Sequence, residues 1–229
     1  MKAIILAAGK GTRMQPLTEK VPKPLIKVMG KPLIKHILDS LPPAIDELII
    51  VIGYRGDQIR EFLGNKHNGI NIKYIFQKNT SGTAHALLLC RPFLGKEKFL
   101  VLFADDIHGS DGLKNVIKHE LALVVSKSKN PEKFGVIITD NENRVIDFEE
   151  KPQKPKSNLI FTGIGILDHR IFNYKSSKNI TLGEYYLTDM INQLIRDHKV
   201  IAEPASLWIP VGYPRDIKRA EKILKNKND

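Results

Sequence analysis

Residues 2–25 read KAIILAAGKGTRMQPLTEKVPKPL, and the rest of the chain is organised around them. Ala3 to Leu6 is a short apolar run, the pattern of a strand buried on both faces. Ala7, Ala8, Gly9 and Gly11 then remove side-chain bulk where that strand ends. Small residues let backbone N–H groups approach a ligand, and successive N–H groups in a glycine-rich turn make a nest for an anion. Lys10, Arg13 and Lys23 add three cations to the same stretch. Arginine suits bidentate contact with phosphate oxygens, and lysine supplies a movable point charge. Strand, small-residue loop and cations together point to a polyphosphate site. The loop lacks the Lys-Ser/Thr of a Walker A sequence and the third glycine of a dinucleotide fingerprint. Pro16 interrupts any helix that would carry a macrodipole there. Taken alone, the two glycines would be an ordinary turn.

At 229 residues the chain is one large domain or two small ones, long enough to bury a sizeable core. No apolar run nears the roughly 18 residues of a membrane span. Ile4 to Ala8 is too short for a signal-peptide core, and a charged loop follows it. Cys90 is the single cysteine, so no internal disulfide can form and a cytoplasmic location is expected. The net charge of +11 is compatible with an anionic ligand, with nucleic acid, or with a solvated lysine-rich surface. The charge is not gathered into one basic block, and no helix-turn-helix, zinc-finger or RNP signature is present. Neither nucleic acid nor a membrane is therefore expected as a partner.

Apolar residues at 33, 34, 37, 38 and 41 make a helical stripe over Pro32 to Leu41, stopped by Pro42-Pro43. Glu47 to Ile52 reads as a buried strand and Arg55 to Leu63 as a helix. Ile70, Ile72, Tyr74 and Phe76 alternate with polar residues, as in a strand. Ala84 to Leu89 is an apolar helix, and Phe99 to Ala104 is a third buried strand. Strands and helices alternating at this spacing predict an α/β fold of Rossmann-like type, with a mostly parallel, mixed central sheet flanked by helices. After residue 110 the pattern loosens. Leu121 to Val125 reads as a strand, and Gly135 to Thr139 with Arg144 to Phe148 as a hairpin around Asp140-Asn141-Glu142-Asn143. Leu159 to Leu167 is another apolar run. Leu187, Met190, Ile191, Leu194 and Ile195 mark an amphipathic helix, Val200 to Glu203 a short strand, and Pro214 to Lys225 a last helix.

The second landmark is FLVLFADDIHG, residues 99–109, where a buried strand ends in Asp105 and Asp106. Ligands of open α/β sheets bind beyond the carboxyl ends of strands. If the first strand is parallel to this one, Asp105 faces the polyphosphate, where Mg²⁺ can bridge carboxylate and phosphate oxygens. In isolation, the two acids would be an Asp turn or a helix cap. The third landmark is FQKNTSGTAHAL, residues 76–87, where Gln77 reads by itself as a surface strand end and Thr80-Ser81-Gly82-Thr83 as a turn leading into the apolar helix. His85 reads as a structural residue of the helix.

The whole string LAAGKGTRMQPLT followed by PKPL closely resembles the signature of the sugar-1-phosphate nucleotidyltransferases, which join a nucleoside triphosphate to a hexose 1-phosphate and release pyrophosphate. The resemblance implies one nucleotidyltransferase domain over 1–229, with a nucleotide-binding half at 1–110 and a sugar-phosphate-binding half at 111–229. It implies nucleotide contacts from Leu6, Ala8, Gly9, Gly11, Thr12, Arg13, Lys23, Gln77 and Gly82, with Gly82 reading the base through its backbone. Arg13, Lys23 and Asp105 become the catalytic residues, and Asp105 the Mg²⁺ ligand. Phe134-Gly135, FEEKP at 148–152 and TGIGIL at 162–167 match the sugar-phosphate half in order. By that match Gly135 and Gly163 give close backbone approach, Glu150 holds sugar hydroxyls and Lys151 the sugar phosphate. UTP or dTTP with glucose 1-phosphate are the expected substrates, and dimers or tetramers the expected assemblies. No appended β-helix domain is expected. The one departure is Trp208-Ile209-Pro210-Val211-Gly212, where the family usually has Trp-x-Asp-x-Gly and draws a second metal ligand from the Asp. Pro210 has no ligating side chain. Two alternatives stay open: transfer to another phosphate such as phosphocholine on the same fold, and, because of Pro210, a module that binds nucleotide or nucleotide sugar without catalysis.

Overall fold

The computed structural model describes residues 1–179 and 183–228. In chain order it has β1 (Lys2–Ala7), β2 (Lys27–Val28), β3 (Lys31–Pro32), α1 (Leu33–Ser40), β4 (Glu47–Ile52), α2 (Gly56–Leu63), β5 (Lys66–His67), β6 (Ile70–Phe76), α3 (Thr83–Cys90) and β7 (Phe99–Phe103). There follow β8 (Asp106–His108), α4 (Ser110–Val116), β9 (Ala122–Lys127), β10 (Gly135–Thr139), β11 (Val145–Glu150), β12 (Leu159–Leu167), α5 (Leu187–Asp197), β13 (Ile201–Pro204), β14 (Trp208–Pro210) and α6 (Pro214–Asn228). The main sheet runs β11-β10-β12-β7-β1-β4-β6-β5, with β9 joined to β12 and β13 to β9.

The centre is parallel: β1 lies between β7 and β4, and β4 pairs with β6 in the same sense. Helices cover both faces, so these strands are apolar at every position rather than at alternate ones. Ile4, Leu6, Ile49, Val51 and Val101 face α3 and α5, meeting Leu87, Leu187 and Met190. Ala3, Ile5, Leu48, Ile50 and Leu102 face the other way, toward Ile34 and Ile37 of α1 and Ile59 of α2. Each such isoleucine or leucine contributes about 1.5–3 kcal/mol by leaving water. α3 is apolar almost all round because it is wedged between the sheet and α5.

β12 extends the sheet into the second half. It runs antiparallel to β7, with Ile164 opposite Leu102, and its other edge takes β9. Register breaks along β12 between Phe161 and Gly165, and Gly163 at the break has φ +85°. Beyond β12 the expected hairpin forms from β10 and β11. The sheet thus changes from parallel to antiparallel where the sequence pattern loosens.

Among the features that were not foreseen, two bear on the site. After Asp105 the chain does not turn away but forms β8, which pairs antiparallel with β14 so that Asp106 lies opposite Pro210. Residues 110–116 form α4. The β8–β14 pair belongs to a third apolar cluster, in which Met14, Val28, Leu33, Ile107, Ile209, Val211 and Ala220 are buried. This cluster ties the first loop to the last helix. Among the described residues no helix is long and apolar enough to cross a membrane.

Candidate active site

β1 and β7 are parallel neighbours, so their loops leave the same end of the sheet; the Ala104 N–H donates to the Leu6 carbonyl at 3.1 Å. There Lys23 Nζ meets Asp105 Oδ2 at 3.0 Å across 82 residues of sequence. Lys23 is only 7% exposed, whereas the Asp105 side chain is 39% exposed. Gly11 makes this approach possible. Its φ is +64°, and a Cβ there would sit 2.9 Å from Lys23 Cβ and 3.0 Å from Thr18 Cγ2. The Thr18 hydroxyl donates to the Gly11 carbonyl at 2.9 Å and fixes the turn. Gly9 differs: a Cβ there would meet nothing within 4 Å, so the space before it is free of protein. Leu6 and Ala8 are buried, while Gly9, Thr12 and Arg13 are exposed around that space. A concavity lined by Met1, Lys2, Asp46 and Glu47 lies at the opposite ends of the same strands and contains none of these residues.

The two acids are electrostatically unlike. Burial would raise the Asp105 carboxyl, but the Lys23 ammonium and its hydrogen bond, with Arg13 beyond, hold it below the usual carboxylate range. Burial and the Asp105 charge push Asp106 up, to about 7, against Lys23, the Val211 N–H and the Trp208 indole. Like charges side by side drive two such values apart. Both Asp106 oxygens are occupied, Oδ2 accepting from Trp208 Nε1 at 2.9 Å and Oδ1 from the Val211 N–H at 3.0 Å. Asp106 therefore pins β14 in place, and Asp105 is the carboxylate that faces the loop. Among the described residues no group of three or more His, Cys, Asp or Glu side chains is placed to hold a metal. A single part-exposed carboxylate nevertheless fits Mg²⁺, which keeps several waters and takes its remaining oxygens from phosphates.

His108 is 5% exposed, and neither ring nitrogen has a hydrogen-bond partner among the described residues. Burial pushes its pKa down to about 4, against a smaller upward pull from Asp105. The folded ring is thus held neutral, while the unfolded ring protonates below its ordinary 6.5. Stability is complete above that pH and is lost as pH falls toward 4, by roughly 3 kcal/mol in all. His108→Phe is expected to flatten the dependence of Tm on pH across this window; an unchanged slope would contradict the assignment.

The loop after β6, which the resemblance assigns to the base, is held together from within. Gln77 is buried, and its Nε2 donates to the Gly82 carbonyl at 3.1 Å and lies 2.9 Å from His85 Nδ1. The amide nitrogen thus props the loop. Gly82 has φ +92°, and its bare side faces protein: a Cβ would fall 2.3 Å from the Tyr185 carbonyl oxygen. Tyr185 N–H donates to Ser81 O at 2.8 Å and Ala84 N–H to Tyr185 O at 2.9 Å. The base loop is stitched to residues 185–187 of the second half.

The residues that the resemblance assigns to the sugar phosphate lie on the far side of that seam. The bare side of Gly135 faces the Phe148 ring, 2.4 Å from an added Cβ, and the Glu150 carboxylate at 3.3 Å; that of Gly163 faces the Phe103 ring at 2.9 Å. These glycines are therefore required by packing within the protein. Glu150 and Lys151 pair with each other at 3.1 Å. Lys151 has φ +47°, donates its N–H to Phe134 O at 3.0 Å, and places Nζ 5.4 Å from the Tyr186 ring centroid. Tyr186 went unremarked in the sequence, because its neighbour Lys151 lies 35 residues away along the chain. Phe134 packs edge-on against Trp208 at 5.2 Å, which joins this cluster to Asp106.

Comparison with known proteins gives a consistent picture. Residues 2–227 match the family model described as Nucleotidyl transferase. The chain is 40% identical over 229 residues to the bifunctional protein GlmU of Methanocaldococcus jannaschii, covering 99% of this chain and 55% of that protein. It spans about half the length of the bifunctional relatives it matches. It is 33% identical to the UTP–glucose-1-phosphate uridylyltransferase AglF of Haloferax volcanii, covering 99% of this chain and 98% of AglF. Among solved structures, one assigned as a glucose-1-phosphate thymidylyltransferase of Bacillus anthracis, in complex with a sucrose, superposes with TM-score 0.88 at 30% identity, covering 99% of this chain and 96% of that one. A UDP-glucose pyrophosphorylase complexed with UDP-glucose shares the fold, with TM-score 0.82 at 23% identity over 99% of this chain and 98% of that one.

Proposed function

Because the chain belongs to the nucleotidyl transferase family, we propose that it joins a nucleoside triphosphate, UTP or dTTP, to a hexose 1-phosphate, glucose 1-phosphate first among them, releasing pyrophosphate. The observation that carries this reading is the 3.0 Å contact of Lys23 with Asp105, which draws the glycine turn and the β7 carboxylate to one point. A phosphate oxygen of the sugar 1-phosphate attacks the α-phosphorus; that P–O bond forms as the bond to the β-phosphate breaks. The nucleophile is already ionised near neutral pH, so no general base is needed. Catalysis rests on positioning and charge neutralisation.

Lys23 carries three donors, of which one goes to Asp105, leaving the others for the α-phosphate. Arg13 takes the departing pyrophosphate and Lys151 the incoming phosphate, with Glu150 beside it for the sugar hydroxyls. Asp105 would hold Mg²⁺, which supplies charge neutralisation along the phosphate chain when bound. The Gln77 oxygen is left to accept from the N3–H of uracil or thymine. The AglF and thymidylyltransferase matches support this pairing of a pyrimidine nucleotide with glucose 1-phosphate.

A second reading, nucleotide or nucleotide-sugar binding without turnover, is favoured by Pro210, which lies opposite Asp106 and offers no metal ligand. A grid of nucleoside triphosphates against sugar 1-phosphates and phosphocholine, reading pyrophosphate release with and without Mg²⁺, separates the readings. Release with UTP or dTTP and glucose 1-phosphate, dependent on Mg²⁺, is the expected result. Nucleotide binding with no release from any pair would favour the module and overturn the enzyme.

A further inference from the structure

Tyr213 stands at the start of α6, 40% exposed, and two guanidiniums share its ring. Arg13 Cζ lies 5.6 Å from the ring centroid and Arg215 Cζ 5.1 Å. Neither arginine is in an ion pair among the described residues; each is exposed, with the ring as its neighbour. Arg219, one turn along the helix from Arg215, shows the contrast: it is paired with Asp216 at 3.3 Å and donates to Pro210 O at 2.7 Å.

The loop that carries Tyr213 is unusually well fixed. Three successive N–H groups are held by carboxylates: Val211 by Asp106 at 3.0 Å, Gly212 by Asp216 at 3.0 Å and Tyr213 by Asp216 at 2.8 Å. The backbone at Arg13 is anchored from its own side, because Met14 next to it is fully buried in the same cluster as Val211. Its charge also reaches Asp105. Two unpaired cations on one rigid ring repel each other unless solvent or an anion separates them. The negative face of the ring offsets part of that repulsion, and a ligand with several negative charges would remove the rest.

We propose that Arg215 is a second pyrophosphate-binding guanidinium, aligned beside Arg13 by the Tyr213 ring, so that the leaving group is taken by a pair of arginines from opposite ends of the chain. This rests on the reaction proposed above. One planar fork can engage one phosphate group in bidentate fashion, and a departing pyrophosphate has two. Arg13 comes from the loop after β1 and Arg215 from α6, and the two meet at one ring. Arg215 contacts the leaving group; Tyr213 is a positioning residue that acts through both arginines.

The test is calorimetric titration of the full chain with inorganic pyrophosphate in the presence of Mg²⁺. Arg215→Gln is expected to weaken binding about tenfold, the loss of one charge-assisted contact. Tyr213→Leu is expected to weaken it about two- to fivefold, the size of an exposed cation–π contact, while Tyr213→Phe keeps the ring and holds affinity within about twofold. In the forward reaction Arg215→Gln should raise the pyrophosphate concentration needed for product inhibition and leave the KM for sugar 1-phosphate unchanged. No pyrophosphate binding by the unmodified protein, or unaltered affinity in Arg215→Gln, overturns the proposal. If no substrate pair turns over yet Arg215→Gln still weakens pyrophosphate binding, the arginine pair stands and the reaction assignment falls. If turnover occurs and product inhibition is unaltered in Arg215→Gln, the reverse holds.

Discussion

Lys23→Ala is expected to lower turnover about 100- to 1,000-fold, the range seen when one preorganised donor is removed from a developing oxyanion. Lys23 is the buried cation of the site, and its ammonium is already aimed at the point where the glycine turn meets Asp105. The fold should survive. The side chain of Asp105 is 39% exposed, so an unpaired carboxylate there remains partly hydrated. Two measurements decide the matter: pyrophosphate release at saturating substrates, and a thermal melt followed by circular dichroism. A large fall in rate with a nearly unchanged melt is the expected pair of results. Turnover within a few-fold of the unmodified protein would remove Lys23 from the reaction.

Gly82→Ala is expected to lower stability by about 3 kcal/mol or more, a fall in Tm of roughly 6–12 °C for a chain of this size. Two effects add. The backbone at φ +92°, ψ 177° lies in a region that side chains rarely enter. The new methyl would also sit 2.3 Å from the Tyr185 carbonyl oxygen. That oxygen cannot retreat freely, because it accepts from Ala84 N–H while Tyr185 N–H donates to Ser81 O. Relief of the clash therefore opens the seam between the base loop and residues 185–187. The Gln77 contact with the Gly82 carbonyl would be lost with it, so the KM for the nucleotide should rise in parallel. A melt within about 2 °C of the unmodified protein would show that the loop repacks around the methyl.

The parallel core was legible because its code is local. Ile4 and Ile5, Ile49 and Ile50, and Val101 and Leu102 are consecutive apolar pairs, and such runs mean burial on both faces wherever they occur. The glycine turn after the first strand was legible for a similar reason: its glycines and cations fall within twenty residues. What escaped was set at long range. The three residues of β8 are too few to show a period, and their partner strand lies about a hundred positions later. Gly82, Gly135 and Gly163 carry ligand roles only through the family resemblance, whereas in the structure the bare side of each faces protein. The approaching atoms belong to Tyr185, Phe148 and Phe103, which no spacing rule could supply. Tyr213 and Arg215 look in the sequence like the ordinary opening of a helix. They matter only once Met14 and Val211 are seen in one cluster.

Trp208 is the only tryptophan in the chain. Its indole N–H is bonded to Asp106, and its ring meets Phe134, whose carbonyl accepts from Lys151. The protein thus contains a built-in optical reporter at the junction of its two halves. Any event that alters the hydrogen bond to Asp106, or shifts Phe134, changes the polarity around the sole indole chromophore. Rapid-mixing emission traces on unlabelled protein could then time the arrival of each proposed substrate, with no extrinsic dye and no second indole to subtract.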